Sequence, residues 1–288
     1  MAAVDKPIGE RGGASHREPA ESVEGFSHRE PAESAPVVLV TGGTRGIGAG
    51  IARGFLRSGA SVLVCARTEP AELPRAGGRI AIFSRADIRD PKQAAGSVQH
   101  ASDLFGRLDV LVSNAGGSPY AAAATASPRF HAKVIELNLI APLHIAQAAN
   151  AVMHDKGGGS IIMVGSVSGT RPSPGTAAYG AAKAGLHHLV SSLAIEWGPA
   201  VRINCVAPGF VATEAADAHY GNAAEMAAVA ATVPLRRMAT PEDIAGACLF
   251  LASPQASYVS GATLALHGGG EAPAFLAAVQ RSVYAPRD

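Results

Sequence analysis

Short, unbroken apolar runs alternate along this chain with longer stretches whose apolar residues recur every three or four positions. PVVLV, beginning at Pro36, is continuous and β-branched, the pattern of a strand buried on both faces of a parallel sheet. SVLVCAR from Ser61, RIAIFSRAD from Arg79, LDVLVSNAGG from Leu108, SIIMVGS from Ser160, VRINCVAPG from Val201 and ATLALHGG from Ala262 read as further strands. Between them, helices are predicted over residues 48–59 and 91–106, from around Phe130 to Asp155, from about Ala178 to Trp197, and from Pro241 to Ala252. Parallel neighbours need right-handed crossovers, so this alternation predicts a doubly wound parallel α/β sheet with helices on both faces. A single domain over residues 36–270 accounts for all of it. The Ala-rich, weakly charged segment Glu214–Arg237 breaks the alternation and reads as an open, moderately apolar lid over a substrate.

Both ends of the chain fall outside the pattern. Residues 1–35 are polar and contain the octapeptide SHREPAES twice, at Ser15–Ser22 and Ser27–Ser34. Without a periodic apolar face they cannot bury enough surface to offset the entropy of ordering, and a disordered extension is expected. Residues 271–288 read as a tail, either solvated or packed across a neighbouring subunit. Over the whole chain, a net charge of +1 with 16% charged residues gives no electrostatic reason to expect nucleic acid or an anionic membrane as partner. Cys65, Cys205 and Cys248 are widely spaced in apolar surroundings and show no metal-ligand spacing. They are expected to be buried free thiols in a reducing compartment, with no metal site. The N-terminus lacks an apolar segment after a basic start, and no apolar run reaches about 18 residues, so neither a secretion signal nor a membrane span is expected and the cytoplasm is the default location.

Chemistry concentrates between Gly165 and Lys183, GSVSGTRPSPGTAAYGAAK. Tyr179 and Lys183 stand four apart in a helix-favouring run, so their side chains should leave one face. A protonated lysine there would lower the phenol's pKa and make Tyr179 a usable acid or base. Ser166, at the carboxyl end of the preceding strand, could converge with the phenol on one small oxygen. YxxxK alone recurs in helices by chance; its weight comes from its surroundings. One of these is the glycine turn TGGTRGIG, with Gly42, Gly46 and Gly48 between the first strand and first helix, where backbone amides can approach a pyrophosphate.

TGGTRGIG, Asp87 after the third strand, SNAG at Ser113–Gly116, Asn138 in ELNLIAP, Ser166, Tyr179 with Lys183, and the Pro208–Gly209 pair together resemble the short-chain dehydrogenase/reductase family over about residues 36–270. That resemblance implies a Rossmann-type fold of seven strands in the order 3-2-1-4-5-6-7, a nicotinamide coenzyme, a small carbonyl or alcohol substrate, and a homodimer or homotetramer. It implies Tyr179 as proton donor to the carbonyl oxygen, Ser166 orienting that oxygen, Lys183 holding the nicotinamide ribose, and Asn138 anchoring a water that links Lys183 to solvent. It carries the coenzyme to Gly42, Thr44, Arg45, Gly46, Ile47 and Gly48, to Asp87 and Ile88, to Asn114, Ala115 and Gly116, and to Pro208, Gly209, Val211 and Thr213. Asp87 would accept from the adenine amino group and Thr213 would hold the carboxamide. After the second strand stands Arg67 where an Asp would bind a ribose diol, and Arg45 lies within the turn. Two guanidiniums near a 2′-phosphate point to NADP(H), with NAD(H) as the alternative.

Similarity to 3-oxoacyl-acyl-carrier-protein reductases, through PLRRMATPEDIA, makes a 3-oxoacyl thioester one candidate substrate among small ketones. The competing class is a catalytically silent relative that binds coenzyme as a sensor or scaffold; the intact Ser, Tyr, Lys and Asn argue against it. Ten histidines offer no HxxxH or HExxH spacing and are expected to be solvated or core residues. His267 stands where many members of the family carry Asp.

Overall fold

Each of the seven apolar runs forms a strand of one parallel sheet: β1 (Val37–Thr41), β2 (Ser61–Ala66), β3 (Ile82–Arg85), β4 (Val110–Ser113), β5 (Gly159–Val164), β6 (Val201–Pro208) and β7 (Thr263–Leu266). The structure, a computed structural model, describes residues 35–273, and the expectations for residues 1–34 and 274–288 lie outside it. The strands lie in the order β3-β2-β1-β4-β5-β6-β7, as the family resemblance implies. Crossovers are made by α1 (Gly46–Arg57), α2 (Pro91–Phe105), α3 (Pro128–Ile135) with α4 (Ala141–Asp155), α5 (Ala177–Trp197), and α6 (Asp217–Tyr220), α7 (Ala223–Thr232) and α8 (Pro241–Ala252) together.

Side chains alternate across a strand, and the core divides accordingly. Val38 and Val40 of β1 join Val62, Val64, Val110 and Val112 under α1 and α8, against Ile51, Phe55, Ile244 and Leu251. Leu39 points the other way, with Leu63, Leu111 and Ile161, into Val98, Ile145, Met153 and Leu186 of α2, α4 and α5. Burying one such Leu or Ile contributes about 2 kcal/mol, so a sheet covered on both faces is a rigid platform. Its carboxyl edge, where β1, β4, β5 and β6 end, is where the chain turns outward.

The structure departs from the sequence expectations in three places. RIAIFSRAD is not one strand: Arg79–Ile80 pairs antiparallel with Arg75–Ala76 across the Gly77–Gly78 turn, and only Ile82–Arg85 joins β2. The helix expected from Phe130 to Asp155 is interrupted by a π-helical turn at Glu136–Ile140, where one turn takes in an extra residue. Glu214–Arg237, where no elements were predicted, contains α6 and α7; α7 starts at a capping box of Asn222 with Glu225 but buries none of its residues. All three cysteines are buried and free, and burial pushes the thiols of Cys65 and Cys248 up to about 12 and that of Cys205 up to about 11.

Candidate active site

The chain leaves β1 at Thr41 and enters α1 through the glycine turn. Gly42 and Gly46 have φ of +61° and +53°, which L side chains avoid, and a Cβ on Gly48 would lie 2.2 Å from the Gly42 carbonyl oxygen. Only glycines let the turn close this tightly on the helix. The helix start is unusual too. Asp90, Ser127 and Thr240 cap α2, α3 and α8 with their side chains, whereas Arg45 gives α1 no side-chain cap. Its first-turn N–H groups are left for an acceptor from elsewhere. Glu214 is one, accepting the Gly46 N–H at 2.7 Å across 168 residues of sequence. Hydrogen bonds from its own backbone N–H and that of Gly46 hold this carboxyl below the usual carboxylate range, and the charges of Arg53 and Arg45 add to the effect. The turn thus receives an anionic oxygen, and phosphate oxygens present the same chemistry to it. By this test, the residues present fit the pyrophosphate of a dinucleotide.

Around the turn the other predicted residues gather unevenly. Asn114 binds it to β4: its Nδ2 donates to the Thr41 and Gly42 carbonyls at 2.9 and 3.2 Å, while Thr41 Oγ1 accepts the N–H groups of Asn114 and Ala115, both at 2.9 Å. Thr41 was not among the predicted residues; a lone hydroxyl closing an all-aliphatic strand was its signal. Thr213 lies over the turn, its Cγ2 3.7 Å from where a Cβ on Gly46 would be. Gly42 N–H donates to the Cys65 carbonyl at 2.8 Å, which brings exposed Arg67 alongside. Asp87 is engaged chiefly by Arg89, whose Nε donates to its two oxygens at 2.9 and 3.1 Å; that hydrogen bonding lowers the Asp87 pKa, with a smaller contribution from the Arg67 charge. An adenine amino group would share Asp87 with Arg89. The Ile88 side chain is buried in the core.

Beyond β5 the proton-transfer set converges. Ser166 Oγ accepts the Ser168 N–H at 3.1 Å and is near enough to the Tyr179 phenol to act on its pKa. Lys183, one turn along α5, is 3% exposed; its Nζ lies 5.6 Å from the centre of the Tyr179 ring and donates to the Val164 carbonyl at 2.7 Å. Asn138 sits in the π turn, fully buried, with Oδ1 accepting the Gly117 N–H at 2.8 Å and Nδ2 donating to the carbonyls of Gly117 and Val134, both at 2.9 Å. A Cβ on Gly116 would lie 2.7 Å from Asn138 Oδ1 and 3.5 Å from Lys183 Nζ, so both groups border the space this glycine leaves.

The electrostatics correct the expectation that Lys183 acidifies Tyr179. Burial, its dominant cause, raises the phenol's pKa, and Ser166 opposes it only in part. Burial also lowers Lys183 to about 8. The same dry site penalises the charged form of both groups. His187 joins the same helix face one turn further on, half-buried, with Nε2 accepting the Ser166 N–H at 3.5 Å. Burial lowers its pKa, which keeps it a neutral acceptor. The 179/183/187 spacing was the signal that this histidine backs the serine.

The remaining wall comes from the segment after β6. Gly209 N–H donates to the Leu266 carbonyl at 2.9 Å, Val211 is bridged to Ala239, and the Phe210 ring meets Tyr220 of α6 edge-on at 5.6 Å. A cavity of about 270 Å³ lies behind Phe210, between Val233, Leu235, Leu266 and His267; Ser166, Tyr179 and Lys183 do not line it. Among the described residues no helix is long and apolar enough to cross a membrane, and no group of His, Cys, Asp or Glu could hold a metal ion.

Residues 42–271 match the family model described as enoyl-(acyl carrier protein) reductase. An uncharacterized oxidoreductase of Mycobacterium tuberculosis is 38% identical over 239 residues, 81% of this chain and 91% of that protein. A 3-oxoacyl-[acyl-carrier-protein] reductase of Chlamydia muridarum is 36% identical over 238 residues, 80% of this chain and 95% of its own. Among solved structures, the ligand-free aldohexose dehydrogenase of Thermoplasma acidophilum superposes with a TM-score of 0.77 at 26% identity, covering 88% of this chain and 98% of that one.

Proposed function

This chain belongs to the short-chain dehydrogenase/reductase family, oxidoreductases that act on CH–OH and C=O groups with NAD(P)(H), and from that premise we propose that it interconverts a ketone or aldehyde and its alcohol with Tyr179 as the acid–base group. The observation that carries this reading is the buried Lys183 ammonium 5.6 Å from the centre of the Tyr179 ring and bonded to the end of the strand that leads into Ser166, at the same sheet edge as the anion-accepting turn. A bound nicotinamide coenzyme supplies or accepts the hydride. The protein's part is to place and protonate. Ser166 orients the carbonyl oxygen, and Tyr179, kept protonated by its raised pKa, donates its proton to that oxygen; in oxidation it takes the proton back. Lys183 positions the ribose hydroxyls, and Asn138 fixes the loop at Gly117 beside it.

NADP(H) is the coenzyme this reading favours. Arg45 at the head of α1 and Arg67 beyond β2 are two exposed basic residues for a 2′-phosphate, and it is Arg67, not an Asp, that stands directly after β2, where a carboxylate would bind a ribose diol. Substrates in view are small ketones, among them the 3-oxoacyl thioesters that the Chlamydia relative's name indicates. Exposed Phe250, Tyr258 and Leu264 on the α8–β7 side, and Ile140 at the end of the π turn with Ile195 on α5, support assembly into a dimer or tetramer. Three buried thiols suit the cytoplasm.

The test is coenzyme oxidation with a panel of ketones and 3-oxoacyl thioesters. Tyr179→Phe is expected to lower kcat by about 10³-fold or more while leaving the coenzyme Kd within about threefold; substantial residual turnover would reject the assigned role. Arg67→Ala is expected to raise the KM for NADPH about tenfold and leave that for NADH unchanged. Preference for NADH in both proteins would overturn the coenzyme assignment.

A further inference from the structure

Arg171 lies between Ser166 and Tyr179 in sequence, on the loop that joins β5 to α5, and the proton-transfer chemistry makes no use of it. Its backbone is held by a hydrogen bond from its N–H to the Val167 carbonyl at 3.2 Å. Its guanidinium sits over the Phe210 ring, 5.9 Å from the centre, so the fork is oriented by stacking as well as by its hydrogen bonds. Nη1 donates to the Pro172 carbonyl at 3.1 Å, and Nη2 contacts the carboxylate of Glu271 at 2.7 Å. Nε is buried and has no partner among the described residues. Nε and Nη2 form one edge of the fork, the edge that grips a carboxylate with two parallel hydrogen bonds. Glu271 satisfies half of it.

The loop itself links this fork to the reacting centre: it starts at Ser166, and the Arg171 N–H is bonded to the Val167 carbonyl next to that serine. On its other side the Phe210 ring carries both the guanidinium and, edge-on at 5.6 Å, the Tyr220 ring. An anionic group held at Arg171 would therefore place the rest of its molecule toward Ser166 and Tyr179. Glu271 is a weak occupant: its side chain is 37% exposed, and exposed ion pairs contribute little.

We propose that Arg171 is the carboxylate-binding corner of the substrate cleft, that the physiological substrate is an oxo acid or hydroxy acid whose carboxylate lies remote from the reacting carbon, and that Glu271 holds the corner until substrate displaces it. This deepens the carbonyl-reductase reading and rests on Tyr179 being the reacting end.

The experiment uses methyl ketones with a terminal carboxylate, CH3CO(CH2)nCOO⁻ with n from 1 to 4, and their methyl esters, assayed by coenzyme oxidation and by titration calorimetry on the coenzyme-free protein. For at least one chain length the acid should exceed its ester about tenfold or more in kcat/KM. Arg171→Gln should erase that preference by weakening the acid alone, with the ester within about threefold; Arg171→Lys should restore part of it. Glu271→Gln should tighten acid binding by a few-fold. The proposal is overturned if the esters are preferred at every length, if Arg171→Gln weakens acid and ester alike, or if no acid binds in an Arg171-dependent way. Arg171-dependent binding of the acids without any turnover would instead reject the reductase reading and leave the carboxylate corner standing.

Discussion

The floor of the cleft and its outer wall are built by opposite means. On the floor, Lys183, Asn138 and Asn114 each reach across to the backbone of a different element, at Val164, Gly117 and Thr41, and Lys183 and Asn138 are buried. Along the wall, α7 buries nothing, its start is held by its own Asn222–Glu225 box, and the pair joining the loop to the tail, Arg171–Glu271, is exposed on both sides. Long-range bonds between buried groups fix geometry to the precision that proton transfer needs. Local bonds at the surface leave an element free to reposition over different substrates. One sheet edge thus carries a constant reaction beside an adaptable specificity.

That contrast breaks first at Asn138. Asn138→Ala removes three hydrogen bonds from a buried site and leaves the Gly117 and Val134 groups unpaired. A loss of about 3 to 4 kcal/mol in urea unfolding is expected, with at least tenfold lower kcat. A loss below about 1 kcal/mol would show that the floor is not held this way. Lys183 sharpens the contrast through pH. Between about 8 and 10.5 the unfolded chain keeps the lysine proton and the folded chain does not, so unfolding takes up protons and stability rises with pH across that window. The rise due to Lys183 should approach about 3 kcal/mol and be absent from Lys183→Met, measured by urea titration at several pH values. Parallel curves for the two proteins would contradict a buried, strained ammonium. The smallest effect is expected at the hinge between floor and wall. Glu214→Gln weakens the acceptor at Gly46 and removes a charge that a pyrophosphate must displace, so the coenzyme Kd should fall about threefold to tenfold, read by fluorescence titration. An unchanged or weaker Kd would mean that Glu214 does not compete.

The same division governs what could be read from residues alone. Strand runs, the glycine turn and the Tyr179/Lys183 spacing are local patterns; they led to the parallel sheet and, through the family resemblance they carry, to the strand order and the floor. Glu214 and Gly46 meet across 168 residues, and no periodicity announces such a contact. Arg171 and Tyr220 gain meaning only once α6 folds over Phe210. The ELNLIA stretch has helical composition throughout, so its change of hydrogen-bond register was invisible. The acidity of Tyr179 went astray for a different reason. A four-residue spacing reports the proximity of a charge, not how much water the fold removes from both partners.

The extra residue at Glu136–Ile140 is absorbed where it stands. A π turn takes in one residue without passing the added rotation onward, so Val134 before it and Ile145 after it are both buried. Delete one of the five and an uninterrupted α-helix could form, with circular dichroism hardly altered and the flanking segments still facing inward. What would go is the widened turn that seats Asn138 against Gly117. The rod would survive its shortening, while the cleft would lose the residue its floor is pinned to.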